Sequence, residues 1–194
     1  MQLVLASGSP RRRELLQQIR ADFICLASDI PEQQGAEETA SAYVRRLAYE
    51  KALASAHLHD KPCMVVGSDT LIDRDGEVME KPRDQTHGVA MLRSLAQREH
   101  KVRTAVCVMY YDGKSVATEQ IEEVVTDVWM GDISETAAEA YWQTGEPRDK
   151  AAGYAIQGGA ARWIKRINGS YTAVVGLPLY ETDQLLQAVE AKLG

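Results

Sequence analysis

The sequence has few cysteines, and they are not spaced to form a disulfide framework or a zinc site. Cys25, Cys63 and Cys107 are the only three among 194 residues, and the four histidines do not pair with them at zinc-binding spacing. All three lie in or beside apolar segments. We therefore expect buried free thiols in a reducing compartment, the cytoplasm.

Long apolar runs and an excess of basic charge are also lacking, and the opening residues lead us to expect no secretory leader. No segment approaches the roughly 20 apolar residues that cross a membrane, and Met1–Leu5 leads directly into a predicted strand. The formal net charge is −6. We therefore expect no membrane and no nucleic-acid partner, and an anionic ligand must meet a local basic cluster or a metal ion.

Three common catalytic fingerprints are absent from the sequence. It contains no GxxxxGK[ST] phosphate loop, no GxGxxG after a strand and no GxSxG nucleophile elbow. Their absence argues against the usual nucleotide-binding loops and against a serine hydrolase of the α/β type. The chemistry must come from charged residues scattered along the chain.

The first such residues follow the first predicted strand. Leu3–Ala6 reads as a strand and Ser7–Pro10 as a turn, with Ser9 suited to cap a helix over about 10–19. Arg11, Arg12 and Arg13 then occupy the first helical turn, where the helix dipole disfavours cations. This pattern suits an anion such as phosphate, although a solvated basic helix start without a ligand fits it equally.

A lysine interrupts the apolar face of the next predicted helix, which runs from about 37–39 to 58. Lys51 lies on the stripe formed by Val44 and Leu47. Because an unpaired buried ammonium is costly, Lys51 must either extend to water or meet an anion.

Acidic and basic residues continue the pattern further along the chain. Asp69 follows the apolar run Cys63–Val66 at a predicted strand end, where open α/β sheets bind ligands, although it can also simply cap a turn. Lys81 is held in a loop by Pro82, and ordinary surface charge is its alternative reading. Glu32 lies in a polar loop. Cations for phosphates and carboxylates for a hard divalent ion together indicate metal-assisted phosphate chemistry.

Several motifs occur together in an order that resembles the Maf family of nucleoside triphosphate pyrophosphatases, from residue 2 to about residue 187. They are Leu5–Arg12, Glu50–Ala52, Gly67–Thr70, Glu80–Pro82, Asp149–Tyr154, Ile156–Gly158, Gly169–Tyr171 and Val175–Leu179. Arg11, Thr70 and Gln157 resemble the branch that acts on dTTP and UTP rather than the branch that acts on 7-methyl-GTP.

The resemblance implies metal-dependent hydrolysis of dTTP, UTP or modified pyrimidine nucleotides to the monophosphate and pyrophosphate, by attack of water on the α-phosphorus. It implies that Asp69, Lys51 and Lys81 are catalytic, and that Asp69 and Glu32 bind Mg²⁺ or Mn²⁺. The residues implied to bind the substrate are Ser7, Arg11, Arg12, Thr70 and Gln157.

For the fold, alternating strands and helices followed by antiparallel segments predict an α/β domain with a mixed sheet. The resemblance adds an elongated, twisted sheet with helices on both faces, two lobes around a cleft, a single domain over 1–194 and a homodimer. A second lobe should come from the β-rich middle. The alternative function is a nucleotide-binding regulator of cell division and septum formation that does not turn its ligand over.

Overall fold

The structure, a computed structural model, describes residues 1–193; Gly194, the last residue of the predicted domain, lies outside the described residues. The strands are β1 Gln2–Leu5, β2 Ile24–Cys25, β3 Cys63–Arg74, β4 Glu77–Met79, β5 Glu99–Tyr111, β6 Val116–Met130 and β7 Ile164–Asn168. The α-helices are α1 Pro10–Gln17, α2 Ala40–His59, α3 Gln85–Ser94, α4 Glu135–Gln143, α5 Tyr171–Val175 and α6 Leu179–Ala191. Short 3₁₀ turns cover Glu146–Asp149, Ala151–Gly153 and Gly159–Trp163.

All the described strands form one mixed sheet in the order β2-β1-β3-β5-β6-β7, with β4 paired to β3. β1 is parallel to β2 and β3, and the other pairs are antiparallel. The long central strands, of 12, 13 and 15 residues, make the sheet elongated. The predicted mixed α/β sheet is confirmed.

Helices cover both faces of this sheet. Because side chains alternate along a strand, Val65 and Cys107 pack under α2, whereas Val66 and Val108 pack on the opposite face against α1 and α6. Both faces of β3 are therefore buried, as its continuous apolar start predicts.

A separate cluster forms a second lobe at the far end of the sheet. Ile72 and Val128 from the strand ends pack there with Leu92 of α3, Tyr141 of α4 and Trp163. The prediction that the β-rich middle forms this lobe is only partly right. Side chains of α3, α4 and the 3₁₀ turns complete the core at this end, because they cover the apolar side chains of the strands.

Two local expectations are wrong. β3 does not end before Asp69; it continues to Arg74 because Leu71 and Ile72 extend its buried pattern and Asp69 pairs with Ala105 of β5. Cys25 is exposed because β2 is a two-residue edge strand, whereas Cys63 and Cys107 are buried, and all three thiols are free. Among residues 1–193, no helix combines the length and apolar character needed to cross a bilayer.

Candidate active site

A cleft of about 700 Å³ lies between the two lobes. The β1–α1 turn and α2 line one side of it, and β4 and residues 149–157 line the other. It brings together every residue that the sequence predicts for the site: Ser7, Arg11, Arg12, Glu32, Lys51, Asp69, Thr70, Lys81 and Gln157.

Lys51 connects the two acidic residues of the cleft. Its Nζ lies 2.6 Å from Oδ1 of Asp69 and 2.7 Å from Oε1 of Glu32. The Lys51 side chain is only 12 % exposed. Of the two readings left open by its position on an apolar face, the structure therefore shows the one in which the ammonium meets anions.

The close approach of α2 to β3 makes this contact possible. Gly67 lies against α2, and a Cβ atom on it would come within 2.3 Å of the carbonyl oxygen of Ala48. Since a larger residue would push the helix away, glycine here allows Lys51 to reach Asp69 two residues further along the strand.

The charges around Glu32 determine its ionisation. Burial acts to raise the pKa of its carboxyl group, but the hydrogen bond from Lys51 and the charges of Lys51, Lys81 and Arg12 outweigh that effect. The pKa of Glu32 is therefore lowered, and its carboxylate is fully ionised at neutral pH.

Asp69 and Glu32 converge on one point of the cleft. One oxygen from each contacts the same atom, Nζ of Lys51, so the two carboxylates converge. Across residues 1–193 there is no cluster of three or more His, Cys, Asp or Glu side chains that could enclose a metal ion. This donor set fits Mg²⁺, which binds one or two carboxylates and takes further ligands from water and substrate phosphates.

The three arginines of α1 separate in the structure. Arg12 Nε donates to the carbonyl oxygen of Gly176 at 2.8 Å, and Nη2 donates to Oγ1 of Thr70 at 3.3 Å. Burial lowers the pKa of Arg12, while Asp69 acts to raise it. Arg11 is half-buried on the cleft wall and Arg13 is exposed. Of the three arginines, Arg13 is therefore the one that fits the alternative of a solvated side chain without a ligand.

The start of α1 leaves backbone N–H groups facing the cleft. Ser9 occupies the predicted cap position, but within the described chain its side chain makes no capping bond. Instead, the N–H of Ser9 donates to Oγ of the buried Ser7 at 3.1 Å. A helix N-terminus of this kind, flanked by Arg11 and Arg12, favours phosphate oxygens.

The opposite wall carries Lys81 and Gln157. Lys81 lies exposed in the loop between β4 and α3, as predicted, and the N–H of Ala152 fixes that loop by donating to the carbonyl oxygen of Glu80 at 3.0 Å. Gln157 is also exposed and lines the cleft.

Sequence reasoning missed several residues in and behind the cleft. Thr104 is fully buried behind the cleft wall, where its Oγ1 lies 3.0 Å from Oγ1 of Thr70, and only the register of β3 and β5 reveals this contact. Lys150 lines the cleft from within one of the recognised motifs, which is a usable signal. Tyr43 also lines it; burial and the charges of Glu80, Asp69 and Glu32 raise the pKa of Tyr43 to about 12.

Solved structures provide a partial likeness only. A nucleoside-triphosphatase / dITP/XTP pyrophosphatase from Mycobacterium abscessus superposes with a TM-score of 0.44 and 18 % identity, covering 69 % of this chain and 76 % of that one. A likeness at this level carries no conclusion about function.

Sequence comparison is far more decisive. A family model described as Maf-like protein matches residues 2–189. The dTTP/UTP pyrophosphatase of Idiomarina loihiensis is 49 % identical over 190 residues, which cover 98 % of this chain and 96 % of that protein. The dTTP/UTP pyrophosphatase of Vibrio cholerae is 49 % identical over 184 residues, or 95 % of this chain and 96 % of that one. Over nearly its whole length, therefore, the chain belongs to the Maf family.

Proposed function

We propose that this protein hydrolyses dTTP and UTP to the nucleoside monophosphate and pyrophosphate, and so removes them or their modified forms from the nucleotide pool. The names of its relatives give the substrates. The observation that carries the proposal is the triad of Lys51, Asp69 and Glu32, which lines the same cleft as Arg12.

The phosphate chain binds along the basic wall of the cleft. Arg11, Arg12 and the N–H groups at the start of α1 hold phosphate oxygens, with Ser7 as a further donor. Arg12 suits this role because Gly176 and Thr70 already hold its guanidinium in place.

Asp69 orients the attacking water and accepts its proton as the new oxygen–phosphorus bond forms. The bond between the α-phosphorus and the bridging oxygen breaks, and its electron pair leaves with pyrophosphate. Lys51 and Lys81 stabilise the negative charge that grows on this leaving group.

We further propose that the reaction depends on Mg²⁺ or Mn²⁺, held by Asp69 and Glu32. Such an ion would offset phosphate charge and would lower the pKa of bound water. The ammonium of Lys51 would then bind oxygens of the triphosphate in place of the two carboxylates.

The pyrimidine is read on the opposite wall, where the exposed amide of Gln157 offers both a donor and an acceptor. That Thr70 also reads the base stays a prediction. Its hydroxyl already accepts from Arg12 and lies beside Thr104, which supports at least a role in orienting Arg12.

The surroundings of the enzyme are also part of the proposal. We propose that it acts in the cytoplasm on a free nucleotide, without a nucleic-acid partner, and that it forms a homodimer. Buried free thiols at Cys63 and Cys107 agree with a reducing compartment. Light scattering of the purified chain measures the oligomeric state directly.

The test of the reaction is the identity of the released product. Purified protein with Mg²⁺ or Mn²⁺ should release pyrophosphate, and not orthophosphate, from dTTP and UTP. Orthophosphate release would exclude attack at the α-phosphorus. Binding of both nucleotides without turnover would instead support the regulator of cell division. A panel with 5-methyl-UTP and pseudouridine triphosphate tests modified substrates.

A further inference from the structure

The loop that carries Gln157 is held from behind by two side chains near the end of α4. The N–H of Ala155 donates to the hydroxyl of Tyr141 at 3.3 Å, and the N–H of Gly159 donates to Oε2 of Glu146 at 3.1 Å. The Tyr141 hydroxyl itself donates to Oε1 of Glu146. One connected pair therefore holds the backbone on both sides of Gln157.

Packing makes this contact rigid. A Cβ atom on Gly158 would lie 1.9 Å from Oε1 of Glu146, so the loop backbone rests directly on the carboxylate. Tyr141 is 3 % exposed, and its ring packs edge-on against Trp163 at a centroid distance of 5.4 Å. This packing holds the Tyr141 ring in place, and with it the hydroxyl to which the N–H of Ala155 donates.

The protonation state of Tyr141 favours its hydrogen bond to Glu146. Burial and the hydrogen bond to Glu146 raise the pKa of Tyr141, so its hydroxyl keeps its proton at neutral pH and remains a donor. Because neither side chain lines the cleft, a direct role in phosphate chemistry is not open to them.

We propose that Tyr141 and Glu146 are positioning residues that fix the Gln157 loop and thereby set selectivity for the pyrimidine base. The inference rests on the proposed function, in which the Gln157 amide reads the base. Uracil and thymine present the N3–H donor beside the O4 acceptor, whereas cytosine presents the same two functions in the reverse order, with N3 accepting and the N4 amino group donating. A fixed loop holds the Gln157 amide in the one orientation that matches uracil and thymine. A loose loop would accept both.

The experiment compares steady-state hydrolysis of UTP and CTP by full-length variants. Tyr141→Phe removes the hydroxyl and keeps the ring, and Glu146→Ala removes the carboxylate. We expect each to lower the UTP-to-CTP ratio of kcat/KM by about 5- to 10-fold, since each loses hydrogen bonds to the loop. The loss should fall on KM for UTP more than on kcat, because Lys51 and Asp69 belong to other elements.

A conservative variant and a matched control distinguish positioning from general damage. In Glu146→Gln, the amide oxygen can accept from Gly159 and the amide nitrogen can donate to Tyr141, so selectivity should recover. Tyr111→Phe removes a hydroxyl from another buried tyrosine, outside the cleft, and should leave the ratio unchanged. Hydrogen exchange provides a readout without turnover: the amides of Ala155 and Gly159 should exchange faster in Tyr141→Phe and Glu146→Ala.

The outcomes separate the inference from the function on which it rests. If the wild-type protein releases pyrophosphate and Gln157→Ala changes the UTP-to-CTP ratio while Tyr141→Phe and Glu146→Ala do not, the positioning role is wrong and the function stands. If the wild-type protein does not turn over nucleotides, the function itself fails. Because Tyr141 is buried, Tyr141→Phe can fail to fold. In that case the UTP-to-CTP ratio of Glu146→Ala alone tests the positioning role.

Discussion

The ammonium of Lys51 lies 2.6 Å from the carboxylate of Asp69, although the two residues are 18 positions apart in the chain. One belongs to the helix that covers the sheet and the other to the middle of a central strand. Their contact links the packing of α2 on β3 to the chemistry of the cleft, because anything that moves the helix moves the lysine.

Removal of the Asp69 charge should abolish turnover and leave the fold intact. Asp69→Asn keeps the shape of the side chain and its place in β3, but the amide cannot accept the proton of water. We expect kcat to fall by about 10³-fold, in the range known for general bases. The measurement is pyrophosphate release from UTP with the melting temperature in parallel. Asp75→Asn, on the exposed β3–β4 turn, is the control, and near-normal turnover of Asp69→Asn would contradict the role.

Removal of the Lys51 charge should change both activity and acid stability. The lowered pKa of Glu32 contributes stability that is present above the ordinary carboxyl pKa and is lost as the pH falls through the lowered value. In Lys51→Met that contribution disappears, so acid unfolding should begin at a higher pH, and turnover should fall by about 10²-fold or more. Denaturation between pH 2 and 6 measures the first effect. An unshifted acid transition, matching that of the exposed-site control Lys61→Met, would count against this assignment.

The arginines of α1 should differ in importance despite being neighbours. Arg12→Lys keeps the charge and loses the planar group that contacts both Gly176 and Thr70, so KM for UTP should rise by about 10-fold. Arg13→Lys is the matched control, and because Arg13 is exposed it should change KM by less than about 2-fold. An equal change of KM in Arg12→Lys and Arg13→Lys would contradict a special role of Arg12 in binding the substrate.

Glycine at position 67 should be essential for stability. In Gly67→Ala the new Cβ meets both the Ala48 carbonyl and Ala52, so the helix must shift from the strand. We expect a loss of about 3 kcal/mol in the free energy of unfolding, at the upper end for overpacking, and a melting temperature lower by about 6–12 °C. Gly35→Ala, in an exposed loop, should leave both nearly unchanged. Thermal unfolding checks the pair, and equal melting temperatures would refute the packing argument.

Buried His100 should make stability depend on pH in a second window. Its Nε2 lies 2.6 Å from the Tyr154 hydroxyl, and burial, with the charge of Arg98, lowers its pKa from 6.5 to about 4. Since the unfolded chain binds the proton more readily, stability is fully present above pH 6.5 and is lost as the pH falls toward 4.

The expected loss between pH 7 and 5 is about 2 kcal/mol, which urea denaturation at each pH measures. In His100→Gln this part of the pH dependence should vanish. The same substitution at exposed His57 should preserve it. An equal slope in His100→Gln and the wild-type protein would show that His100 does not cause it.

Local patterns predicted local structure well. The apolar stripe around Val44 and Leu47 predicted α2 and placed Lys51 on its inner face. An acidic residue shortly after Pro82 predicts a helix cap, and Asp84 does cap α3 by accepting from the N–H of His87. An Asp-Gly pair predicts a hairpin turn, and Asp75-Gly76 does form the β3–β4 turn, with positive φ at both residues. Such features depend on residues within one turn or one strand of each other.

Contacts between distant segments were a different matter. The sequence by itself determined the family, and its motifs predict that Arg12, Lys51 and Asp69 carry the chemistry. It did not place Asp69 in the middle of β3, nor pair Thr104 with Thr70, nor set Tyr141 and Glu146 behind Gln157. Those relationships depend on strand register and on the packing of segments far apart in the chain. Hydrophobic periodicity records which face of an element is buried but not which partner covers it, so only the tertiary structure decided them.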